Sequence, residues 1–188
     1  MHGEPQLRDG GVLVRVGTSA DIPEILGYFT RNRQHLAATA PTAPADFYTV
    51  AHWRARLARA DAGYRADRLL HCFVFREAGT RVVGTVNLSN FVRGAFQACH
   101  LGYSIDQELE GTGTMSTAVR LLIGHAFSAL NLHRVMANYL PENERSARLL
   151  ARLGFRIEGQ ASAYLHIAGA WRDHVLTALV SDVWRETL

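Results

Sequence analysis

The chain has 188 residues, a one-domain length at about 150 residues per domain, with 48% hydrophobic and 20% charged residues, the balance of a soluble globular protein. Its net charge of +3 is too mild, and its basic residues too dispersed, to argue for nucleic acid. All twenty basic residues are arginine, which excludes a Schiff-base lysine, a lysine general base and a phosphate-loop lysine; genome base composition is the plain cause of such a bias.

The amino-terminal MHGEPQLRDGG has no apolar core of a secretory signal, and residues 1–11 are expected to be flexible. GVLVRV (11–16) alternates and is β-branched, which predicts a strand. Thr18, Ser19 and Asp21 are N-cap candidates for a helix to about Leu36, with Ile22, Ile25, Leu26 and Phe29 on one face. A proline-broken connector precedes a second helix over 47–62. LLHCFVFRE (69–77), the turn AGTR and RVVGTVNLSNFVR (81–93) read as an antiparallel hairpin, and AFQACHLGYSI (95–105) as a third strand of that group. DQELEGTGT is a loop, residues 115–130 a helix and 133–140 a strand, so 96–140 form a βαβ unit with a right-handed crossover. NERSARLLARL is a short helix closed by Gly154 at C′. Strands over 155–167 and 170–181 flank a turn at Ala168-Gly169. The sum is an α+β fold bordering on α/β: a mixed sheet of about seven strands, one parallel pair at its middle, and helices on both faces. Residues 12–188 are expected to be a single domain.

Cys72 and Cys99 lie in separate apolar strands without a CxxC pair, so reduced, buried thiols in a cytoplasmic protein are the expectation. No uncharged apolar stretch approaches a membrane span. His71, His125, His133, His166 and His174 have no ligand-like spacing, and no metal site is expected. The runs Arg54-Arg56-Arg59 and Arg145-Arg148-Arg152 read as solvated helix faces; the second could otherwise steer a polyanion.

Two constellations carry chemistry. Gly111-Thr112-Gly113-Thr114-Met115, after Glu110, stands between a strand and a helix. There, glycines let backbone N–H groups converge and the helix start adds partial positive charge, a site for phosphate without a side-chain cation. It fits neither GxxxxGK[ST] nor GxGxxG, and a plain loop is the competing reading. Asn143-Glu144-Arg145-Ser146 opens the next helix, with Leu149, Leu150, Gly154 and Phe155 after it. Asn143 is equally well explained as an N-cap, and the leucines as core. The telling point is position: both segments follow the carboxyl ends of adjacent parallel strands, where open sheets bind ligands.

EGTGTM opening a helix, with N-x-x-S-x-x-L-L-x-x-x-G-F some thirty residues on, resembles the GCN5-related N-acetyltransferases (GNAT). NLSNFVRGAFQACHLGYSI, HRVMANYLPENERSARLLARLGF, AGAWRDHVLTAL and NRQHL resemble, within that superfamily, the ribosomal-protein-alanine N-acetyltransferases of the RimJ/RimL type, most of all the RimJ branch. The resemblance spans about residues 12–180. It implies acetyl transfer from acetyl-CoA to a protein α-amine, with the pyrophosphate on the amides of Gly111, Thr112, Gly113, Thr114 and Met115. The pantetheine would pair with the strand carrying Tyr103, Ser104 and Ile105, in a gap held open by a bulge. Asn143 would bond the pantetheine, and Ser146 would lie near the thioester sulfur.

The chain departs from the family pattern at four places. Glu110 stands where Gln or Arg is usual, and its carboxylate is expected to point outward, away from pyrophosphate. Met115 replaces a small residue. The tyrosine that many members use as general acid falls at Leu150, which leaves Ser146 as the nearest hydroxyl. The carboxylate base of RimL-like enzymes falls at Leu165. An α-amine, with pKa near 7.7–8.0, is already about 10–15% neutral at pH 7, so a water relay or a modest base suffices. His100 is the titratable candidate, with a half-buried strand residue as the alternative.

The expected function is thus N-terminal acetylation, of N-terminal alanine on a ribosomal protein, by a monomer or homodimer with no direct nucleic-acid or membrane contact. Acetylation of a small amine, or an acyl-CoA-binding, ribosome-associated module without catalysis, are the alternatives.

Overall fold

Short alternating segments whose odd and even side chains are both apolar demand cover on both faces, and in the computed structural model helices supply it. The structure describes residues 4–76 and 80–186; the first residues of the expected turn at 78–81 lie outside that range. The strands are β1 (Gln6–Asp9), β2 (Val12–Val16), β3 (Leu70–Arg76), β4 (Arg81–Val92), β5 (Ala98–Ile105), β6 (Arg134–Tyr139), β7 (Arg156–Ile167) and β8 (Ala170–Val180). The helices are α1 (Ile22–Arg31), α2 (Arg33–Ala37), α3 (Val50–Arg65), α4 (Thr114–Ser128) and α5 (Glu144–Arg152). They build one mixed sheet in the order β1-β2-β3-β4-β5-β6-β8-β7, in which only β5 and β6 run parallel. The fold is α+β, as expected, with eight strands among the described residues rather than about seven. The added strand is β1, which pairs antiparallel with β2 from Gln6↔Arg15 to Asp9↔Val12 and is tied to α4 by the Asp9–Arg120 ion pair. Residues 6–9, within the stretch expected to be flexible, are therefore held in the sheet.

On one face Val12, Val14, Cys72, Val86, Cys99 and Leu101 pack against Met115, Val119 and Leu122 of α4. On the other, Leu13, Phe73 and Phe75 pack against Ile25 and Tyr28 of α1 and Trp53 of α3. Trp53 also stacks on Phe29, ring centroids 4.9 Å apart. Each such large side chain removed from water contributes roughly 1.5–3 kcal/mol. Arg56, expected on a solvated face, instead lies over the Trp53 ring at 5.0 Å, and burial lowers its pKa.

The single helix expected to reach Leu36 is broken at Asn32. Asn32 is buried: its Nδ2 donates to Tyr28 O at 3.0 Å, and its Oδ1 accepts the Gln107 N–H at 3.0 Å. A side chain that bonds the backbone on two elements competes with helix continuation. The break thereby pins the α1–α2 corner to the chain leaving β5. Beside it Asp106, 2% exposed, takes Arg31 at 2.6 Å and Arg81 at 3.4 Å. Gly84 lets β5 come close there, since a Cβ would stand 2.6 Å from Ser104 O.

Candidate active site

β5 and β6 share only three rungs: Ala98↔Arg134, Cys99↔Val135 and His100↔Met136. β5 then follows β4 to Gly84↔Ile105, and β6 follows β8 to Tyr139↔Val175. The two parallel strands open into a V, and Leu101–Ile105 present a strand edge to its interior. An extended ligand with amides can pair with such an edge by strand addition. The irregularity beside it lies in β4, where the register shifts between Ser89 and Val92 and Asn90 has φ 54°.

At the carboxyl end of β5 the chain turns through Gly111 and Gly113, with φ of 75° and 83°. These left-handed values favour glycine, and nothing in the protein lies within 4 Å of a Cβ built on either. Thr112 Oγ1 donates to Leu109 O at 2.8 Å, so its 2.9 Å contact with Thr114 Oγ1 is one it accepts. The first helical N–H to find a carbonyl is that of Thr117, on Gly113 O; the amides before it at the helix start have no acceptor within the helix. These unpaired donors face out of the helix start, whereas the Thr112 N–H is turned to Leu109 O at 3.4 Å. Met115, buried at 6% exposure, brings only its amide to this loop while its side chain fills the core.

Across the V, Asn143 caps α5 by accepting the Ser146 N–H on Oδ1 at 3.1 Å. Ser146 Oγ and Tyr103 Oη are 2.7 Å apart and bridge the two banks. Burial raises the Tyr103 pKa to about 12 against the Ser146 bond, which lowers it, so Tyr103 is a neutral phenol that holds its proton. Leu150, 2% exposed, is core. Leu165 pairs with Arg172 near the β7–β8 turn, and the nearby Glu142 and Asp173 are engaged by Arg172 and the Ala163 N–H.

Ser104 turns to the other face, where it accepts from Tyr28 Oη at 2.9 Å and sits 2.9 Å from Thr85 Oγ1. His100 and Gly102 share that parity. His100 Nδ1 is buried with no hydrogen-bond partner among the described residues, and burial lowers its pKa from the ordinary value. The V thus has a hydroxyl pair on its α4 and α5 side and an imidazole on its α1 and α3 side.

Glu110 does not point outward. Its side chain is 18% exposed, with one carboxylate oxygen ion-paired to Arg145 and the other 3.4 Å from His35 Nε2. The Tyr103 hydroxyl and this three-residue link were missing from the sequence reading. Alternation of Tyr103 with Leu101 and Ile105 carried a signal for the first; Glu110, Arg145 and His35 stand on separate elements, and no local pattern joins them.

A parallel pair splayed beyond its first rungs, with a glycine-turned helix start on one bank and a capped helix on the other, defines a transferase that draws its acyl group from a CoA thioester. Residues 12–156 match the acetyltransferase (GNAT) domain family, and the chain belongs to that family; it is an acetyl-CoA-dependent N-acetyltransferase. It is 39% identical, over 92% of its length and 89% of the relative's, to the ribosomal protein uS5-alanine N-acetyltransferase of Escherichia coli. The crystal structure of ribosomal-protein-S5-alanine acetyltransferase from Vibrio fischeri superposes with a TM-score of 0.92 at 41% identity, covering 97% of this chain and all of that one. Mycobacterium smegmatis RimJ in complex with CoA-disulfide superposes at 0.86, with 28% identity, over 98% of this chain and 89% of that one.

Proposed function

We propose that the acceptor is the α-amine of a protein N-terminus, with the N-terminal alanine of a ribosomal protein the favoured substrate. The observation that carries this is identity of 39% across 92% of the chain with an enzyme named for that reaction. Residues 12–186 act as one acetyltransferase unit working on a cytoplasmic acceptor. Acetyl-CoA supplies the activated acetyl group. The amides of Gly111 to Met115 hold its pyrophosphate, the open edge at Tyr103, Ser104 and Ile105 pairs with the pantetheine, and Asn143, its Oδ1 given to the cap, offers Nδ2 to the same arm. Ser146 keeps a proton at Oγ for the departing sulfur, oriented by Tyr103. On the opposite face the His100 imidazole takes the proton of the incoming ammonium through a water.

Room for a peptide is suggested by Gly102, which is exposed and has nothing among the described residues within 4 Å of a Cβ built on it. The test is acetyl-CoA turnover against N-terminal peptides and free amines, read by mass. Peptides beginning with alanine should be fastest, and at pH 7 a free N-terminus should outrun an internal lysine at least about a hundredfold, since their pKa values differ by about 2.5 units. A small amine that outruns every peptide, or comparable α- and ε-amine rates, overturns the reading.

A further inference from the structure

Glu110 and Arg145 stand on opposite banks of the V: Glu110 on the chain that leaves β5 for the glycine loop, Arg145 in the first turn of α5 after β6. Their ion pair joins the two banks beside the glycine loop that follows Glu110. Three observations set this pair apart from an ordinary surface contact. Its carboxylate is largely covered, at 18% exposure, while the guanidinium is 69% exposed, so the acid is fixed and the base is free to move. The carboxylate is held from a second side by His35 of α2 at 3.4 Å. And Arg145 occupies the second position of α5, after the Asn143 cap, where a cation opposes the helix dipole. Helix stability would favour an acid at this position, as Glu144 beside it illustrates; the arginine is there for something else.

We propose that Arg145 is a side-chain ligand of the CoA pyrophosphate, and that Glu110 holds it in place before CoA arrives and gives it up when CoA binds. The exchange is one anion for another: a guanidinium that holds one carboxylate oxygen can hold a phosphate oxygen with the same donor. The loop amides alone carry no formal charge, so Arg145 adds a side-chain cation for the diphosphate. Glu110 sets the cost of the exchange. It keeps an uncompensated cation from the cleft while the site is empty, and it lowers affinity for CoA by competing for Arg145. The inference rests on acetyl-CoA being the donor, and not on the acceptor.

The test is calorimetric binding to the acceptor-free enzyme of three probes: CoA, dephospho-CoA and pantetheine. Glu110→Gln should tighten CoA about three- to tenfold, since partly exposed ion pairs are worth up to about fivefold and the repulsion from the diphosphate is also lost. Arg145→Gln should weaken CoA and dephospho-CoA alike by about tenfold, as a lost charge-assisted hydrogen bond does. Arg145→Lys, which keeps the charge and loses the planar guanidinium, should fall between wild type and Arg145→Gln. None of the three substitutions should move pantetheine. In the double variant the gain from Glu110→Gln should disappear. An unchanged or weaker Kd in Glu110→Gln, an unchanged Kd in Arg145→Gln, a loss seen with CoA but not dephospho-CoA, or a gain that survives in the double variant each overturns the exchange. Wild type that binds none of the three probes overturns the donor assignment itself.

Discussion

The two halves of β5 have the same kind of sequence and opposite jobs. Ala98 and His100 are paired on both sides, to β4 and to β6, and Cys99 between them pairs with β6 opposite the β4 irregularity; Ala98 and Cys99 are fully buried, burial pushes the Cys99 thiol pKa up to about 12, and that half is scaffold. Leu101 to Ile105 are paired on one side only. What separates them is not composition but which neighbour each strand follows: β5 stays with β4, β6 stays with β8, and the sheet divides between them. A strand edge left open inside a sheet must be braced. Tyr28, Ser104 and Thr85 brace it from one face, and the Tyr103–Ser146 bridge from the other.

The sharpest way to break the comparison is to disarm the open half and leave the paired half alone. Ser146→Ala should lower kcat at least about thirtyfold with acetyl-CoA affinity little changed, the low end of general-acid effects because a serine hydroxyl is a weak acid. A variant that keeps more than half its kcat reduces Ser146 to a residue that packs the start of α5. Gly113→Pro attacks the end of the same half. Proline fixes φ near −65°, whereas Gly113 sits at +83°, and the amide is lost as well; CoA affinity should drop at least about tenfold by calorimetry, and an unchanged Kd would remove the loop amides from the binding account. Tyr103→Phe is milder. It deletes one 2.7 Å hydrogen bond and keeps the ring, so kcat should fall about fivefold, close to the roughly 1 kcal/mol of one such bond. Full activity in that variant would show that Ser146 orients itself.

Legibility in the sequence followed the same division. Elements stated by local pattern were readable: the β-branched alternation of VLVRV, the helix expected over 115–130 by its apolar period and found at Thr114–Ser128, the glycine close at Gly154. So was the parallel pair, since strand, glycine loop, helix and strand allow one handedness. β1 was not, because QLRD has no apolar alternation; its place comes from pairing with β2 and an ion pair to α4. The break at Asn32 was hidden because its cause is Gln107, seventy-five residues away. Glu110 was misread for the same reason. A carboxylate beside an anion site should point away unless a cation holds it, and the cation arrives from α5. Residues whose role depends on their own element were visible; those whose role depends on another bank of the V were not.

The smallest expected effect, and the one that locates the boundary between the halves, belongs to His100, the last rung that β5 shares with β6. Burial disfavours its imidazolium and draws its pKa below the ordinary 6.5. The native chain therefore binds fewer protons than the unfolded chain, so the stabilising contribution is present above pH 6.5 and is lost as pH falls through the folded-state value. In activity the signs separate two protons. The acceptor amine titrates near 7.7–8.0, so log kcat/KM should rise with unit slope up to about pH 8. Below the depressed His100 pKa a second proton must leave, and the slope should steepen to two. In His100→Gln the slope should stay at one throughout, and kcat/KM at pH 8 should fall only about threefold, because an α-amine needs little help to lose its proton. The thermal melt supplies the second readout: His100→Gln should flatten the loss of Tm below pH 6.5. A variant whose rate profile keeps its second proton while its melt flattens would make His100 part of the paired half alone, a buried strand residue at the edge of the chemistry.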